Sequence, residues 1–586
     1  MKKIYYGLIA IMLPLCVACN GYLDKPDSDD VTVEKAFETV QNSQKVLNNL
    51  YGIVRDKTYN IVSRRIPYAQ ACDDAVAGSS LWGLKFQQGT WTPDDDRGNV
   101  MSESVVPTTS FWNATYSYVR KANLFIENIH LAKGEEDMKI RMVAEARFLR
   151  AYYYSELIKR YGGVIILDHS IDGGEYSELI NQPRNTFEES VDWVCNEFEE
   201  AAKDLPDKYS DSETGRATSI ACYAAEARLR LIAASPLFNT DSPVSSDYTT
   251  TQYYGNYDKR RWDLAAEACR KVMANSKYYL YDGDSDREDV PSPDSWENYY
   301  RRFVDMYFKV TPELIWFSWD MGEWDNVRIA WVNRSSGGWN WINPTYQLAK
   351  EYELIDGTMP SDQDMLDVVG SDGKNRDPRF KATISYPGAQ YDAFDYQPWM
   401  GGPSYEATSV KTGMSMQKYI DPLYKDNDAN MNRTMVRRSI HQMFRYAEVL
   451  LNFAEAVNES TGPTSEVYDA INAVRGRVGM PAIESGLTQE EMREKIRHER
   501  RVELAFEDFR FFDVRRWRIA ETVLNDYLKG YDVTKKVDGG FKTIVNVGNK
   551  MVFEKKHYLY PLHTKEILMN PALEQNPGWP RLSTNN

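Results

Sequence analysis

Residues 499–517 of this chain read ERRVELAFEDFRFFDVRRW. Wound as one helix at about 100° per residue, this segment and the turn before it place four apolar side chains on one side: Met492, Ile496, Val502 and Phe506. Glu499, Glu503 and Arg510 lie in the middle of that same side. Because a charge inside an apolar stripe is costly unless it is paired, the pattern predicts a helix that buries carboxylates against arginines.

Glu499 and Glu503 have two interpretations. Residues four apart on a helix lie about 5–6 Å from each other, which is near the carboxylate spacing of a retaining glycosidase. The alternative is a structural cluster of ion pairs. Positive charge nearby lowers the pKa of a carboxylate, whereas a general acid needs a raised pKa. The structural interpretation is favoured because arginines crowd the segment: Arg497, Arg500, Arg501, Arg510, Arg515 and Arg516.

The N-terminus has the pattern of an export signal. Two lysines precede an apolar run over residues 4–17, which is too short to span a bilayer but fits a signal-peptide core. Ala18-Cys19 follows, the small-residue-then-Cys pattern of a lipoprotein cleavage site. We therefore expect a signal peptide over 1–18, acylation of Cys19 as a membrane anchor and a polar, acidic tether over 19–32. The alternative is a conventional secreted protein that is cleaved nearby.

The composition, charge and motifs of the chain argue against several classes of function. The net charge of −16 argues against nucleic acid as a partner, and no apolar run after the leader reaches transmembrane length. Motifs of metalloproteases, phosphate loops, dinucleotide sites and nucleophile elbows are absent from the sequence. We therefore expect no cofactor, no metal and no catalytic residue. The remaining cysteines are too scattered to give a metal signature or an assignable disulfide: Cys72, Cys195, Cys222 and Cys269.

Helical periodicity dominates both ends of the chain. Apolar and alanine-rich faces recur with helical spacing, and successive amphipathic helices joined by short links are typical of a tetratricopeptide-like stack. The predicted fold class is mostly α, with helix pairs over about 33–280 and 431–586 forming one scaffold within a single domain, 33–586. Helices are predicted at 33–54, 111–130, 137–161, 187–205, 219–234, 262–274 and 445–458.

Between about 281 and 430 the helical period fades, and Gly, Pro, Asp, Asn and Trp cluster. Loops this long inside a compact chain are usually functional. We predict a large, irregular, loop-rich insertion here, with short strands at 314–319 and 380–385. The chain is also aromatic-rich, with 15 Trp and 39 Tyr. This excess favours surface recognition, with an aromatic core as the alternative.

Motifs along the chain resemble the RagB/SusD family of Bacteroidetes outer-membrane lipoproteins. The C-terminal signature residues are Glu499-Arg500, Glu503-Leu504, Glu507, Arg510, Asp513 and Arg516-Trp517. Asp508 stands where the family usually has Gly. Further matching stretches cover nearly the whole mature chain: 145–151, 161–163, 215–218, 234–239, 445–448, 454–456, 475–481 and 560–562.

The resemblance implies a fold and a function. Members of this family have a scaffold of helix pairs with a large insertion, and they bind glycans through loops in two regions, near 72–91 and in the insertion. It implies an oligosaccharide ligand, a partner that is a TonB-dependent transporter of the SusC type, and a lipid-anchored position at the cell surface on the outer membrane. It implies no catalysis. Trp91 resembles part of a fixed family turn and is expected to be structural.

Sugar recognition needs an aromatic plate for the C–H face of a ring and planar polar groups for adjacent hydroxyls. The residues predicted to stack on sugar are Trp82, Trp324, Trp339 and Trp399. The residues predicted to make polar contacts are Asp73, Asp74, Asp325 and Arg379. For each tryptophan the alternative is a place in a loop core.

Other functions stay open at this point. A surface glycoside hydrolase would use the pair of Glu499 and Glu503. A related family member would capture peptide or glycopeptide instead of glycan, and a structural adaptor would use the helical stack alone. Arg147 and Arg150 are interpreted as ion-pair partners of the buried glutamates rather than as ligand contacts.

Overall fold

The computed structural model describes most of the mature chain. The described residues are 32–58, 68–77, 85–95, 111–171, 180–283, 295–319, 340–391, 395–406, 410–419, 440–534 and 543–581. The predicted signal peptide, Cys19 and all of the tether up to residue 31 lie outside them. Within them the protein is mostly helical with short strands, as predicted. None of the described helices combines the length and the hydropathy of a membrane span.

The first half of the chain forms helices that pack side by side. Their bounds are α1 Val33–Ala36, α2 Val40–Thr58, α3 Phe111–Asn128, α4 Glu136–Tyr161, α5 Phe187–Lys203, α6 Ser219–Ala234 and α7 Arg260–Met273. From α3 onward each helix packs against the next one along the chain. Buried alanines such as Ala151 on α4 and Ala224 on α6 let neighbouring helices approach closely. The stack of helix pairs is therefore confirmed.

The insertion is more regular than predicted. It contains short helices, α8 Trp296–Asp305, α9 Tyr346–Glu351, α10 Asp362–Asp367 and α11 Pro378–Thr383. These helices and the strands around them enclose apolar clusters, centred on residues such as Tyr352, Phe380 and Phe303. Scaffold residues such as Val502 and Val478 also belong to these clusters, so the insertion packs around apolar clusters that it shares with the scaffold.

Helices return after the insertion. Their bounds are α12 Tyr446–Thr461, α13 Ser465–Arg477, α14 Gln489–Glu503, α15 Phe509–Arg516, α16 Ala520–Val523 and α17 Thr564–Met569. Helix α12 packs directly against α7, and then against α13 and α14. The stack therefore continues across the insertion, as if the chain between α7 and α12 were spliced into it.

Short strands connect the parts of the molecule. They are β1 Ala75–Ala77, β2 Leu314–Trp319, β3 Ile342–Pro344, β4 Ile384–Ser385, β5 Ser415–Met416, β6 Ile440–Arg445, β7 Leu528–Tyr531 and β8 Ile544–Val547. They pair antiparallel as β1–β3, β2–β6, β4–β5 and β7–β8. The strand predicted at 314–319 is confirmed.

The strand predicted at 380–385 is wrong for its first four residues, which lie in α11. Asp377 caps this helix by accepting a hydrogen bond from the backbone N–H of Arg379 at 2.9 Å. Pro378 occupies the first helical position, where its fixed φ favours a helix. The cap and the proline therefore outweigh the strand propensity of the residues that follow.

The helix predicted over 33–54 is two helices. Between α1 and α2 the chain makes a parallel bridge from Thr39 to Lys133. Helix α2 also continues to Thr58, past Gly52 and past the predicted end at residue 54. Leu47 and Leu50 bury their side chains in the main core, and this packing outweighs the cost of a helical glycine, which is about 1 kcal/mol.

A turn interrupts the helix predicted over 499–517. Helix α14 ends at Glu503 and α15 begins at Phe509. Between them Phe506 and Asp508 have φ angles of 62° and 65°. Phe506 thereby leaves the apolar side of α14 and packs against the clusters of the insertion. Asp tolerates this left-handed conformation better than most residues, which explains how Asp508 can stand at a position where Gly is usual.

The cysteines of the described residues are free thiols in the core: Cys72, Cys195, Cys222 and Cys269. Burial raises the pKa of each thiol. A thiol that stays protonated is a weak nucleophile and a weak metal ligand, so these residues serve as small apolar side chains.

The turn generates a stability prediction. Asp508→Gly is expected to change the free energy of unfolding by less than about 1 kcal/mol, because Gly adopts positive φ freely. Asp508→Val is expected to lower it by about 1–2 kcal/mol, because a β-branched residue is strained there. Chemical denaturation measures both. Equal destabilisation by the two variants would show that the carboxyl group, and not the backbone angle, holds the turn.

Candidate functional site

The two regions predicted to carry ligand loops meet at the sheet of β1 and β3. In this antiparallel pair Ala77, the last residue of β1, lies opposite Ile342, the first residue of β3. The segments 78–84 and 320–339 are therefore attached at the same end of one sheet. Four predicted site residues belong to these segments and lie outside the described residues: Trp82, Trp324, Asp325 and Trp339.

Hydrogen bonds fasten the roots of these two segments to each other. Thr345 donates from its backbone N–H to the carbonyl of Asp74 at 2.9 Å and from its hydroxyl to the carbonyl of Asp73 at 2.6 Å. The side chain of Gln70 donates to the carbonyl of Trp341 at 2.7 Å. The two segments therefore start from one shared base.

Asp73 and Asp74 are buried in that base, where two arginines hold them. Arg510 donates from two nitrogens to the two carboxylate oxygens of Asp73, at 2.8 Å each. Arg501 contacts Asp73 at 2.9 Å and Asp74 at 3.2 Å. Burial opposes ionisation of Asp73, but the guanidinium groups outweigh it and hold its pKa below the usual range. Burial raises the pKa of Asp74, which also shares the site with a second carboxylate.

This placement corrects the predicted role of Asp73 and Asp74. Both carboxylates are almost fully buried, and their hydrogen-bonding edges face arginines instead of an open surface. They join the root of the 78–84 segment to α14 through Arg501 and to α15 through Arg510. Their burial does not agree with a direct contact to sugar hydroxyls.

Arg379 is also placed differently from the prediction. Its side chain is buried and contacts Asp377 at 2.7 Å, Glu499 at 2.5 Å and Glu503 at 2.8 Å. Burial disfavours its charge, but these three carboxylates outweigh burial and raise the pKa of the guanidinium. A guanidinium enclosed in this way has no edge left for a ligand, so Arg379 joins the insertion to α14.

Glu499 and Glu503 form the buried ion-pair cluster that the sequence favoured over a catalytic pair. Glu503 accepts hydrogen bonds from Arg379, Arg445 and Arg477, the second at 2.6 Å. Burial alone would raise the pKa of Glu503, but these guanidinium groups outweigh it and hold the pKa well below the ordinary value. Such a group cannot serve as a general acid. The structure therefore gives a glycosidase mechanism no support from this pair.

The arginines around Glu503 come from three distant segments, which sequence analysis did not find. Arg379 lies on α11, Arg445 ends β6, and Arg477 ends α13. The arginines close in sequence have other partners: Arg497, for example, pairs with the exposed carboxylate of Glu494 at 2.9 Å. Arg445 and Arg477 do lie in stretches that resemble the family, and this resemblance was the only feature of the sequence that could have indicated their role.

A second layer of charges surrounds the cluster. Glu313, the residue directly before β2, contacts Arg445 at 3.0 Å and Arg477 at 2.6 Å. Glu507, in the turn after α14, contacts Arg445 and Lys418, each at 2.7 Å. Every carboxylate of this layer is buried, so the cluster binds the insertion, the turn and the C-terminal helices into one body.

Three further ion pairs of buried carboxylates lie outside the Glu503 cluster, and two of them involve arginines interpreted from the sequence. Arg516 makes two contacts to Glu455, at 2.5 and 2.7 Å, and the indole N–H of Trp517 donates to the same carboxylate at 2.7 Å. Arg147 and Arg150 do pair with a buried glutamate, at 2.6 and 2.5 Å, but it is Glu197 on α5 and not Glu499 or Glu503. The structural role of the two arginines is confirmed, and the predicted partners are wrong.

Two tryptophans near the site can be placed. Trp91 is 3 % exposed and lies between the rings of Phe86 and Trp579, at centroid distances of 4.6 and 4.7 Å, so its predicted structural role is confirmed. Trp399 is half-buried and packs against the apolar cluster of the insertion. Part of its ring surface is therefore used inside the protein, and its predicted contact with sugar stays a prediction.

One described group gathers several metal-ligating atoms. The thiol of Cys72 and the carboxylates of Asp73 and Asp74 lie within 4.8 Å of one another. Two guanidinium groups, of Arg501 and Arg510, already neutralise these carboxylates. Burial raises the pKa of the thiol, so the group does not offer the thiolate that a metal prefers. The residues therefore do not fit a metal site.

The described residues define a class of protein, a stack of helix pairs with an insertion spliced between α7 and α12. Residues 312–579 match a family model described as SusD family, and residues 21–231 match one described as Starch-binding associating with outer membrane. Together the two matches cover most of the chain. The protein belongs to the SusD-like family, as the motif resemblance indicated.

Individual proteins are similar over nearly the full length. The SusD-like protein P2 of Formosa agariphila is 22 % identical, and the match covers 99 % of this chain and 100 % of that one. The crystal structure of a SusD-like carbohydrate binding protein from Bacteroides fragilis is 25 % identical with a TM-score of 0.72, covering 92 % and 99 % of the two chains. A laminarin binding SusD-like protein shares the fold, with 19 % identity, a TM-score of 0.61 and coverage of 93 % and 100 %.

The buried cluster generates a prediction about stability. Glu503→Gln is expected to lower the free energy of unfolding by about 3–5 kcal/mol, because it leaves buried guanidinium charge uncompensated. Glu490→Gln is the control, since that carboxylate is exposed on the same helix, and a change within about 0.5 kcal/mol is expected. Chemical denaturation compares the two. A similar small effect for both would contradict the structural role of Glu503.

The pKa of Glu455 generates a prediction about pH. Burial opposes its ionisation, but Arg516 and Arg500 outweigh burial and lower the pKa from 4.5 to about 2. A depressed pKa contributes stability that is present above pH 4.5 and is lost as the pH falls towards 2. This group is expected to contribute about 3 kcal/mol. Denaturation of the wild type and Glu455→Gln between pH 7 and 3 measures the contribution, and parallel curves would exclude it.

Proposed function

We propose that the protein captures oligosaccharides at the surface of the outer membrane and delivers them to a SusC-like TonB-dependent transporter. The observation that carries the proposal is the sheet of β1 and β3, which gives two tryptophan-bearing segments a common base. In this proposal Trp82, Trp324, Trp339 and Trp399 stack on sugar rings, and Asp325 contacts hydroxyls.

The base is suited to hold a recognition surface. Binding loops lose affinity when they must be ordered by the ligand, and a base fixed by hydrogen bonds reduces that loss. Here Arg501 and Arg510 join the roots to two scaffold helices. The aromatic side chains offer apolar plates for the C–H faces of sugars, which is the chemistry that glycan sites use.

Relatives support a carbohydrate ligand. One of the solved structures with this fold is described as a carbohydrate binding protein and another as laminarin binding. The family model that matches residues 21–231 is described as starch-binding and associating with the outer membrane. These descriptions belong to other proteins, and they support the same ligand class here without naming the glycan.

The N-terminal sequence supports the location. A signal peptide over 1–18 and acylation of Cys19 would anchor the mature chain in the outer membrane through its lipid, and residues 19–32 would act as the tether. A carrier held beside a transporter by such an anchor raises the local concentration of ligand at the transporter. The SusC-like partner follows from the family resemblance.

We infer that the protein is a binding protein and not an enzyme. The Glu pair that a hydrolase would use is buried in ion pairs, and the family descriptions name binding. Capture of peptide or glycopeptide is the alternative within the family, and a purely structural adaptor is the alternative outside it. Both are tested by the ligand panel described next.

Binding is tested by affinity electrophoresis and calorimetry against a panel of polysaccharides, oligosaccharides, peptides and glycopeptides. The expected result is retardation or heat from at least one glycan without released sugar. The double variant Trp82→Ala, Trp324→Ala is expected to weaken binding at least about tenfold, since stacking is worth about 1–3 kcal/mol per ring. Tyr257→Ala is the matched control, because Tyr257 is an exposed aromatic residue of the helical scaffold.

Three outcomes of the panel would contradict the proposal. Release of sugar that depends on Glu503 would identify a hydrolase. Binding of peptides with no binding of any glycan would identify the alternative ligand class. Glycan binding, and growth on glycan, that the double tryptophan variant leaves untouched would favour the structural adaptor.

The anchor is tested separately. Cys19→Ala is expected to move the protein from the membrane fraction to the soluble fraction, because it removes the site of acylation and the polar, acidic tether is no substitute for the lipid chains. Cys16→Ala is the control and should leave membrane association unchanged. Detergent phase partitioning of both variants gives the readout. An unchanged distribution for Cys19→Ala would contradict the proposal of a lipid anchor at Cys19.

A further inference from the structure

A cleft lies between α4, α6 and the turn that joins α14 to α15. Its volume is about 50 Å³, which exceeds the roughly 10–15 Å³ needed to hold one water and leaves room for a small polyatomic group. The half-buried members of its wall include Lys159, Arg228 and Asp508. Phe509 and Phe512 contribute apolar surface beside them.

The charges on this wall do not cancel. Among the described lining residues, five are basic and four are acidic. For the lining residues alone the surplus is therefore one positive charge when every group is ionised, while Glu448 and Glu455, outside the wall, pair with Arg228 and Arg516. The basic residues are Lys159, Arg160, Arg228, Arg500 and Arg516, and the acidic ones are Glu156, Glu507, Asp508 and Asp513.

Most of these groups already have a strong partner. Glu156 on α4 accepts from Arg160 at 2.8 Å. Asp513 on α15 accepts from Arg516 at 2.7 Å, and Arg500 on α14 contacts the same carboxylate at 3.3 Å. Outside the wall, Glu507 is held by Arg445 and Lys418. These pairs form the fixed part of the cleft.

Lys159 is the cation with spare capacity. Of its three N–H groups, one has a hydrogen-bonding partner among the described residues, the carboxylate of Glu156 at 2.6 Å. Its ammonium also lies 4.3 Å from the centre of the Phe512 ring. Burial, together with the positive charges of Arg160 and Arg228, lowers its pKa to about 8 against the opposing effect of Glu156. An added anion would relieve this repulsion.

Arg228 stands near Lys159 on the facing helix. Its Nε and Nη2 hold Glu448 through two contacts at 2.6 Å each, and Nη2 also donates to the carbonyl of Met443 at 2.5 Å. The guanidinium lies 5.0 Å from the centre of the Phe509 ring. Its positive charge acts on the ammonium of Lys159, and Arg and Lys are the side chains that proteins use to attract carboxylate, phosphate or sulfate.

Asp508 controls how positive the cleft is. Burial raises the pKa of its carboxyl to about 7, while Lys159 and Arg160 act to lower it and Glu156 acts to raise it. No described basic side chain forms an ion pair with it. When Asp508 is protonated, the surplus on the wall rises from one positive charge to two.

We propose that this cleft binds an oxyanion group, with Lys159 as its donor, Arg228 as a second positive charge beside it and Asp508 as the group that weakens binding when ionised. The chemistry fits a carboxylate or a sulfate, either as a free anion or as a substituent on a captured sugar. The assignment to a sugar rests on the proposed function, whereas the anion site stands on the cleft itself.

The test is calorimetric titration of the mature protein with sodium sulfate and with glucuronate, near pH 6 and near pH 8, at constant ionic strength. Binding is expected to be tighter at the lower pH, where Asp508 is neutral and Lys159 fully charged. Lys159→Gln is expected to weaken binding about tenfold, the effect of losing one charge-assisted hydrogen bond.

Lys139→Gln is the matched control, because Lys139 lies on the same helix, pairs with Glu136 three residues away at 3.0 Å and has similar exposure. It should leave binding unchanged. Asp508→Asn keeps a residue that accepts the positive φ of the turn and is expected to raise affinity near pH 8 and reduce the difference between the two pH values. An unchanged pH dependence in Asp508→Asn would overturn the role of Asp508.

The source of the anion is resolved by glycans that share a backbone and differ in carboxylate or sulfate groups. A preference for the anionic member that Lys159→Gln removes supports a sugar substituent. Sulfate or glucuronate binding without any glycan binding supports the anion site but overturns its assignment to a sugar, together with the proposed function. Neutral glycan binding with no anion bound at either pH overturns the inference and leaves the proposed function standing.

Discussion

The ion pairs of Glu503 are the interaction on which the rest of the structure depends. A carboxylate fully removed from water is tolerated only where opposite charge surrounds it, and here the three guanidinium groups arrive from α11, β6 and α13. Because these elements are far apart in the chain, the cluster can form only when the insertion and the C-terminal half of the scaffold are in place together. Solvation of one carboxylate therefore couples the folding of remote segments.

How much of this was predictable depends on whether the signal was local. The helix at 219–234 was predicted with its observed bounds from its periodic apolar face, and in the structure Thr218 caps it. The turn at Phe506 was not predicted, because it depends on the packing of Phe506 against the clusters of the insertion. No residue nearby in the sequence indicates that packing. The helix over 380–383 is a different case, because its signal was local and was overlooked: Asp377 is the cap and Pro378 occupies the first helical position.

The candidate site shows the same division. The composition of the tryptophan-bearing segments pointed to sugar recognition, and pairing of β1 with β3 gives them a common root. The polar residues nearest to them were misassigned, because Asp73, Asp74 and Arg379 look the same in sequence whether they face a ligand or a buried partner. Only their partners, Arg501, Arg510 and Glu499, distinguish the two cases, and those lie more than a hundred positions away in the chain.

The direct contact of α7 with α12 has an evolutionary consequence. Since the scaffold closes without the segment between them, that segment is free to diverge in length and loop chemistry, and a lineage could change its nutrient by exchanging it. Exchange is conditional, however, because the segment supplies Glu313, Asp377 and Arg379 to the buried charges. A replacement segment must therefore supply charged side chains that pair with the buried charges of the scaffold. This requirement limits which segments, and so which new specificities, the scaffold can accept.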